Sequence, residues 1–178
     1  VGIGSPGSVD PFRGIVQHAY NLGFVGTPLR ELMAQRLEKP IYLDNDANAA
    51  AYGEVMAGAA QGYRNVVVMT LGTGIGGGIL IDGRMVTGCS CCGGELGHMG
   101  MVYNGEPCTC GRRGCMEAYC SVTALIRQTK EKMRQCPESL MWNLCQGDLE
   151  QVSGRTAFDA MRQGDDGAKQ VVEQYTAY

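Results

Sequence analysis

The stretch Asn65–Gly83, NVVVMTLGTGIGGGILIDG, carries β-branched residues into five glycines within seven positions and then resumes as an apolar run. Val66, Val67 and Val68 read as a strand buried on both faces, Gly78 to Ile81 as its return, and Asp82-Gly83 as the turn that follows. The segment is therefore strand, glycine turn, strand. Two uses of that turn are open. A hairpin needs only one or two residues at positive φ, whereas Gly72, Gly74, Gly76, Gly77 and Gly78 strip side chains from a whole turn. A backbone bared in this way can aim several N–H groups at an anion, with the Thr73 hydroxyl beside them. The pattern is neither a dinucleotide fingerprint, since no helical pattern follows, nor a P-loop, since no Gly-Lys-Ser/Thr occurs. A phosphate-holding loop and a structural turn fit the local sequence equally.

Composition bounds the rest. With 178 residues, 44% hydrophobic and 19% charged, the chain can bury one good core and a piece of a second. A net charge of −3 without a Lys/Arg cluster argues against a nucleic-acid or membrane surface. No apolar run approaches the ~20 residues that span a bilayer, and no basic-then-apolar leader opens the chain. The expectation is a soluble, cytoplasmic protein. Both ends read as cut within an element: a strand at Val1 to Gly4, and a helix from about Asp166 to the end on which Val171, Val172 and Tyr175 share a face. A piece of a longer protein is expected.

Nine cysteines, most of them between Cys89 and Cys120, make an odd number with no signal peptide before it, which favours metal binding or free thiols over a disulfide framework. In HMGMVYNGEPCTCGRRGC, His98, Cys108, Cys110 and Cys115 offer one imidazole and three thiolates. The glycine and basic turn Gly111 to Gly114 folds the last ligand back toward the first pair. Four such ligands suit a closed tetrahedral Zn²⁺ site; the other reading is buried or free thiols near a core histidine. Cys89, Cys91 and Cys92 stand apart as a substitute ligand source or an oxidation-prone patch.

Along the chain, Thr27 reads as an N-cap before Pro28 at the first helical position, and Leu29, Leu32, Met33 and Leu37 form an apolar face that ends near Lys39-Pro40. Ile41 to Leu43 is a short strand. DNDANAAAYGEVMAGAAQG follows as a small-residue helix closing at Gly62. Further helices are expected from Ser121 to about Gln135 and from about Arg155 to Arg162, with a polar, uninformative link from Cys136 to Glu150. Asp46 lies where strand hands over to helix, near N–H groups that favour an anion, and is a candidate base or simply the helix cap. Asp44 is the second candidate at that junction. Glu95 and Glu117 flank the cysteine cluster in sequence and read as site carboxylates or as exposed charges.

Taken together, GIGSPGSVD, NLGF, DNDANAAAYGE, LGTGIGGGI, GGELGHM and CTCGRRGCMEAY occur in the order and at about the spacing of the ROK family of sugar kinases and sugar-responsive repressors. The chain resembles most its bacterial glucokinase branch, from Val1 to the end. The resemblance implies an α/β, actin-like, hexokinase-type (ribonuclease H-like) ATPase fold. Residues 1–44 would be the C-terminal part of the small lobe and 45–178 most of the larger, sugar-binding lobe with its zinc knuckle.

The same resemblance implies an ATP-dependent hexokinase acting on glucose at the 6-hydroxyl, with Mg²⁺ on ATP and structural Zn²⁺. Asp46 is the implied general base. Gly7, Asn21, Asn45, Asp46, Glu95, His98 and Glu117 are implied sugar contacts, with one nitrogen of His98 on zinc and the other toward the sugar. Gly72, Thr73 and Gly74 match the second phosphate loop, which raises the phosphate reading of the opening stretch. The family's first phosphate loop and its glycine-rich adenosine segment do not occur between Val1 and Tyr178. The piece is therefore expected to carry much of a sugar site and half of an ATP site, to be inactive alone, and to belong to a homodimeric parent. A repressor with an upstream DNA-binding region, or a non-catalytic zinc-stapled sugar-binding module, are the alternatives.

Overall fold

A computed structural model describes residues 1–178, the side chain of Tyr20 excepted, and the chain separates into two units. The first comprises Val1–Thr70 and Gly76–Leu96, the second Leu71–Ile75 and Gly97–Tyr178.

In the first unit β1 (Gly2–Ser5), β2 (Ser8–Asp10), β3 (Ile15–Ala19), β4 (Phe24–Thr27), α1 (Leu29–Leu37) and β5 (Tyr42–Asn45) follow one another. The strands β2, β3 and β4 form an antiparallel meander, while β5 returns to pair in parallel with β1, Gly2 opposite Tyr42 and Ser5 opposite Asn45. Val9, Val16, Ala19 and Leu43 are its buried core, with Ile3, Phe24 and Leu29 packed against them. The expected apolar face of α1 is only partly used: Leu32 and Leu37 stay exposed. The cap expected of Thr27 is also missing, since the helix is entered from Pro28 with no side-chain cap.

The opening stretch forms β6 (Val66–Leu71) and β7 (Ile75–Ile81), and a turn at Asp82 (φ 51°) and Gly83 (φ 75°) leads to β8 (Arg84–Met85). Only Gly72 and Gly74 lie in the β6–β7 turn; Gly76, Gly77 and Gly78 are strand residues. Their bareness serves packing. A Cβ at Gly76 would lie 2.7 Å from Ala47 Cβ, and one at Gly78 would collide with Ala51 Cβ. The small-residue helix α2 (Asp46–Ala57) thereby sits close on the strand, with Ala47 and Ala51 buried. Burial of β6 on both faces is not found: Val66, Val68 and Thr70 are half-buried while Val67 (63%) and Met69 (40%) are exposed. The period-2 pleat sends alternate residues to a face that no element of the described chain covers.

The second unit is mainly helical: α3 (Glu117–Cys120), α4 (Val122–Gln135), α5 (Met141–Leu144), α6 (Thr156–Arg162) and α7 (Asp166–Ala177). The Ser121 hydroxyl caps α4 by accepting Ala124 N–H at 3.1 Å. Leu125, Met133, Ala157, Ala160, Val171 and Val172 form the core. The stretch from Cys136 to Glu150 is not an inert link. It contains α5, buries Met141 and Cys145 in that core, and donates Trp142 Nε1–H to Met133 O at 3.0 Å. Its scattered apolar residues fit neither a helical nor a strand period, which hid it in the sequence.

Candidate functional site

At the β5–α2 junction the structure separates the two aspartates. Asn45 is the helix cap: its Oδ1 accepts Ala47 N–H at 2.9 Å and Asn48 N–H at 3.0 Å, and its Nδ2 donates to Gly7 O at 3.0 Å. Gly7 has φ 83°, and a side chain there would run into His18 O. The half-buried Asp44 is engaged locally, with Oδ1 accepting Asn45 N–H at 2.7 Å and Asn48 Nδ2–H at 3.1 Å. Asp46 occupies the first helical position, exposed, its Oδ1 accepting Ala47 N–H at 2.9 Å. A carboxylate there is favoured by the helix N-terminus and open to a ligand. In the same unit, Asn21 lies exposed in the 3₁₀ turn Tyr20–Leu22, and Glu95 is half-buried just before the turn Leu96–His98.

In the second unit His98, Cys108, Cys110 and Cys115 come together, their ligand atoms within 4.8 Å of one another. Among the described residues this is the only such grouping, and Cys89, Cys91 and Cys92 are not part of it. The His98 Nδ1 to Cys108 Sγ distance is 3.5 Å, and Cys110 Sγ lies 3.7 Å from Cys115 Sγ. A tetrahedron with Zn–S near 2.3 Å and Zn–N near 2.0 Å has edges of roughly 3.5 to 3.8 Å, so the donor set and these two distances fit zinc. The arm is a tight hairpin: Cys108 N–H donates to Arg112 O (2.9 Å) and Gly114 N–H to Glu106 O (2.8 Å). Gly114, at φ 78°, packs where a side chain would strike Val102 O.

Protons are unevenly shared among the thiols of this cluster. Burial raises the Cys110 thiol, but hydrogen bonds from the Arg112 backbone and side chain, Cys108 and Cys115 outweigh it and bring the pKa down to about 6. Burial first, then hydrogen bonding to Cys110 and Cys108, pushes Cys115 up to about 12. Arg112 also donates to His98 O at 2.8 Å. Sequence reading noted a basic turn here without assigning Arg112 a task. Elsewhere, burial and then the nearby Asp10 raise the Cys91 thiol, and Cys92 Sγ lies 3.3 Å from Ser8 Oγ.

The Gly72–Gly74 turn also belongs to the second unit and is held from three sides. Val122 N–H donates to Gly72 O (2.9 Å), Thr123 Oγ1–H donates to Thr73 O (2.7 Å), and Ile75 N–H donates to Glu117 Oε2 (2.9 Å). A Cβ on Gly74 would sit 2.5 Å from Glu117 Oε2, so this glycine admits the carboxylate. Thr109, between two of the cysteines, donates to Glu117 Oε1 at 3.2 Å. Sequence reasoning found Glu117 but missed Thr109 and Thr123, since an isolated threonine carries no spacing signal.

The sequence pattern of the ROK family matches residues 1–178. The chain is 45% identical over 166 residues to a glucokinase of Thermotoga maritima, covering 93% of this chain and 52% of that protein. It is 40% identical over 134 residues to a xylose repressor of Bacillus spizizenii, covering 74% of this chain and 35% of the repressor. Its fold superposes with TM-score 0.85 and 39% identity on a ROK family glucokinase from Streptomyces griseus, solved with glucose and AMPPNP, over 98% of this chain and 56% of that one. The chain thus spans about half the length of the curated glucokinases it matches. Its architecture is the α/β, actin-like, hexokinase-type fold, and the chain belongs to the ROK family.

Proposed function

We propose that the protein carrying this chain phosphorylates a hexose with ATP, most readily glucose at its 6-hydroxyl. The observation that carries the reading is the exposed Asp46 carboxylate on the first turn of α2, whose cap is Asn45 and whose Oδ2 has no hydrogen bond to the helix. In this reading Asp46 accepts the proton of the attacking hydroxyl as the oxygen bonds to the γ-phosphorus and the bond to the β-bridging oxygen breaks. Gly7, Asn21, Asn45, Glu95, His98 and Glu117 are assigned to the sugar. Gly72 N–H already donates to Gly74 O at 3.0 Å, so the phosphate contacts of the turn fall to Thr73 and Gly74. Mg²⁺ on ATP supplies charge neutralisation at the phosphates.

Zinc, held by His98, Cys108, Cys110 and Cys115, is structural in this reading, because four protein ligands leave no position for substrate. No two of the nine cysteines are joined in a disulfide, which supports the cytoplasm as the compartment; no helix is long and apolar enough to cross a membrane. The division into a small lobe (1–44) and a larger lobe (45–178), and a homodimeric parent, rest on the family resemblance. A second reading, the sugar-sensing domain of a repressor, is favoured by the 40% identity to a xylose repressor. A coupled phosphorylation assay of the whole protein over glucose, N-acetylated hexoses and xylose separates them. Hexose-dependent ADP release supports the kinase; sugar binding without ADP release supports the repressor.

A further inference from the structure

The contacts around Glu117 give this carboxylate a task apart from any sugar. Its Oε2 accepts the N–H of Ile75, the residue after the Gly72–Thr73–Gly74 turn, at 2.9 Å. Its Oε1 accepts the hydroxyl of Thr109, the one residue between the cluster cysteines Cys108 and Cys110, at 3.2 Å. The opposite side of the turn is fixed by the start of α4, through Val122 N–H on Gly72 O and the Thr123 hydroxyl on Thr73 O. One side of the turn thus hangs on a helix, the other on the Cys108–Cys110 arm.

We propose that Glu117 is a positioning residue that transmits the fixation of the Cys108–Thr109–Cys110 arm to the Gly72–Gly74 turn, so that filling the metal cluster sets the nucleotide side of the site. The proposal rests on the reading of that turn as a phosphate loop. Zinc would tie Cys108 and Cys110, on either side of Thr109, to His98 and Cys115, and would so fix the Thr109 hydroxyl; the hydroxyl holds the carboxylate, and the carboxylate holds the Ile75 N–H. A phosphate loop works only when its N–H groups are fixed in advance. Carboxylate oxygens have lone pairs to spare, so Glu117 can accept a sugar hydroxyl as well.

Thr109→Val in the whole protein tests this without replacing a metal ligand, with Thr109→Ser as the variant that keeps the hydroxyl. Zinc content, glucose affinity, the KM for MgATP, MgADP affinity and amide hydrogen exchange at Ile75 are measured. With a full equivalent of zinc bound, Thr109→Val is expected to exchange Ile75 N–H faster, to bind MgADP about two- to tenfold more weakly and to raise the KM for MgATP to match, the range one hydrogen bond supports. Thr109→Ser is expected to restore wild-type values. Unchanged exchange and unchanged MgADP affinity in zinc-loaded Thr109→Val would overturn the proposal. The exchange readout needs no turnover: an inactive parent with faster exchange in the variant sinks the kinase reading and leaves the coupling standing, while an active parent with no change in exchange does the reverse.

Discussion

Asn45 and Asp46 are adjacent and chemically alike, yet the helix start assigns them different work. Asn45 has the extended backbone of a cap (φ −65°, ψ 146°), so its oxygen reaches the two N–H groups ahead, whereas Asp46 is already helical and its exposed carboxylate accepts only the adjacent Ala47 N–H. Asn45→Ala should therefore cost about 1–2 kcal/mol, a lost cap together with the lost bond to Gly7 O. Asp46→Ala should cost well under that. Denaturant unfolding of the two variants checks the order, and an equal or reversed cost would mean that Asp46 is the cap after all. The sequence placed an acid at the strand-to-helix handover but left Asp44 and Asp46 open. The choice depends on which side chain reaches back to the backbone, and that is a matter of φ and ψ at one residue.

At the scale of elements, the cysteine knuckle was legible because metal ligands recur at spacings fixed by bond geometry, and a turn between two of them leaves few alternatives. One equivalent of zinc is expected to copurify with the reduced protein. Replacing Cys115 with Ser, or adding a strong chelator, should loosen the second unit, since structural zinc contributes on the order of 10 kcal/mol. Metal analysis of the folded, reduced protein checks this, and absence of zinc there removes the site. The helices of the second unit were legible from their apolar period; α5 was not, because it is short and is held by partners remote in sequence. One of these is Asp165, buried between α5 and α7 and accepting Leu140 N–H and Ala168 N–H, each at 2.6 Å.

Burial raises the Asp165 carboxyl, but hydrogen bonds from Ala168, Ser139, Leu140 and Gly167 outweigh it, so its pKa is lowered on folding. A lowered folded value means that the stabilisation is fully present above the unfolded carboxylate pKa near ~3.9 and is lost as pH falls through the folded value. Asp165→Asn should destabilise at neutral pH by about 1–3 kcal/mol, the range of charge-assisted bonds, and the gap to wild type should close below about pH 4. Urea melts from pH 7 to pH 3 measure it. A gap that stays constant over that range would mean that the ionised carboxylate contributes nothing.

For the molecule as a whole, six ordered motifs identified the family before any coordinate did, because each joins a backbone demand to a chemical one: a glycine where a carboxylate must approach, an asparagine where a helix must start. What the motifs left unread was how their parts are tied together. The glycine run of Asn65–Gly83 looked like one bare turn, but it divides into a two-glycine turn and three strand glycines that admit α2 and the Gly94–Leu96 segment. Such close approaches are tertiary facts with no local period. Exposed Val67 and Met69 on β6 were misread for the same reason, since burial on a second face depends on what lies over the sheet and not on the strand itself. In the function proposed above, this fold serves phosphoryl transfer to a sugar hydroxyl through Asp46. Its most direct test is ATP-dependent phosphorylation of glucose by the whole protein, measured beside Asp46→Asn with glucose affinity determined for both. Wild type is expected to yield glucose 6-phosphate, and Asp46→Asn to retain glucose binding with kcat lower by roughly 100-fold or more. Near-normal turnover in Asp46→Asn, or glucose binding by wild type with no phosphorylated product, would contradict it.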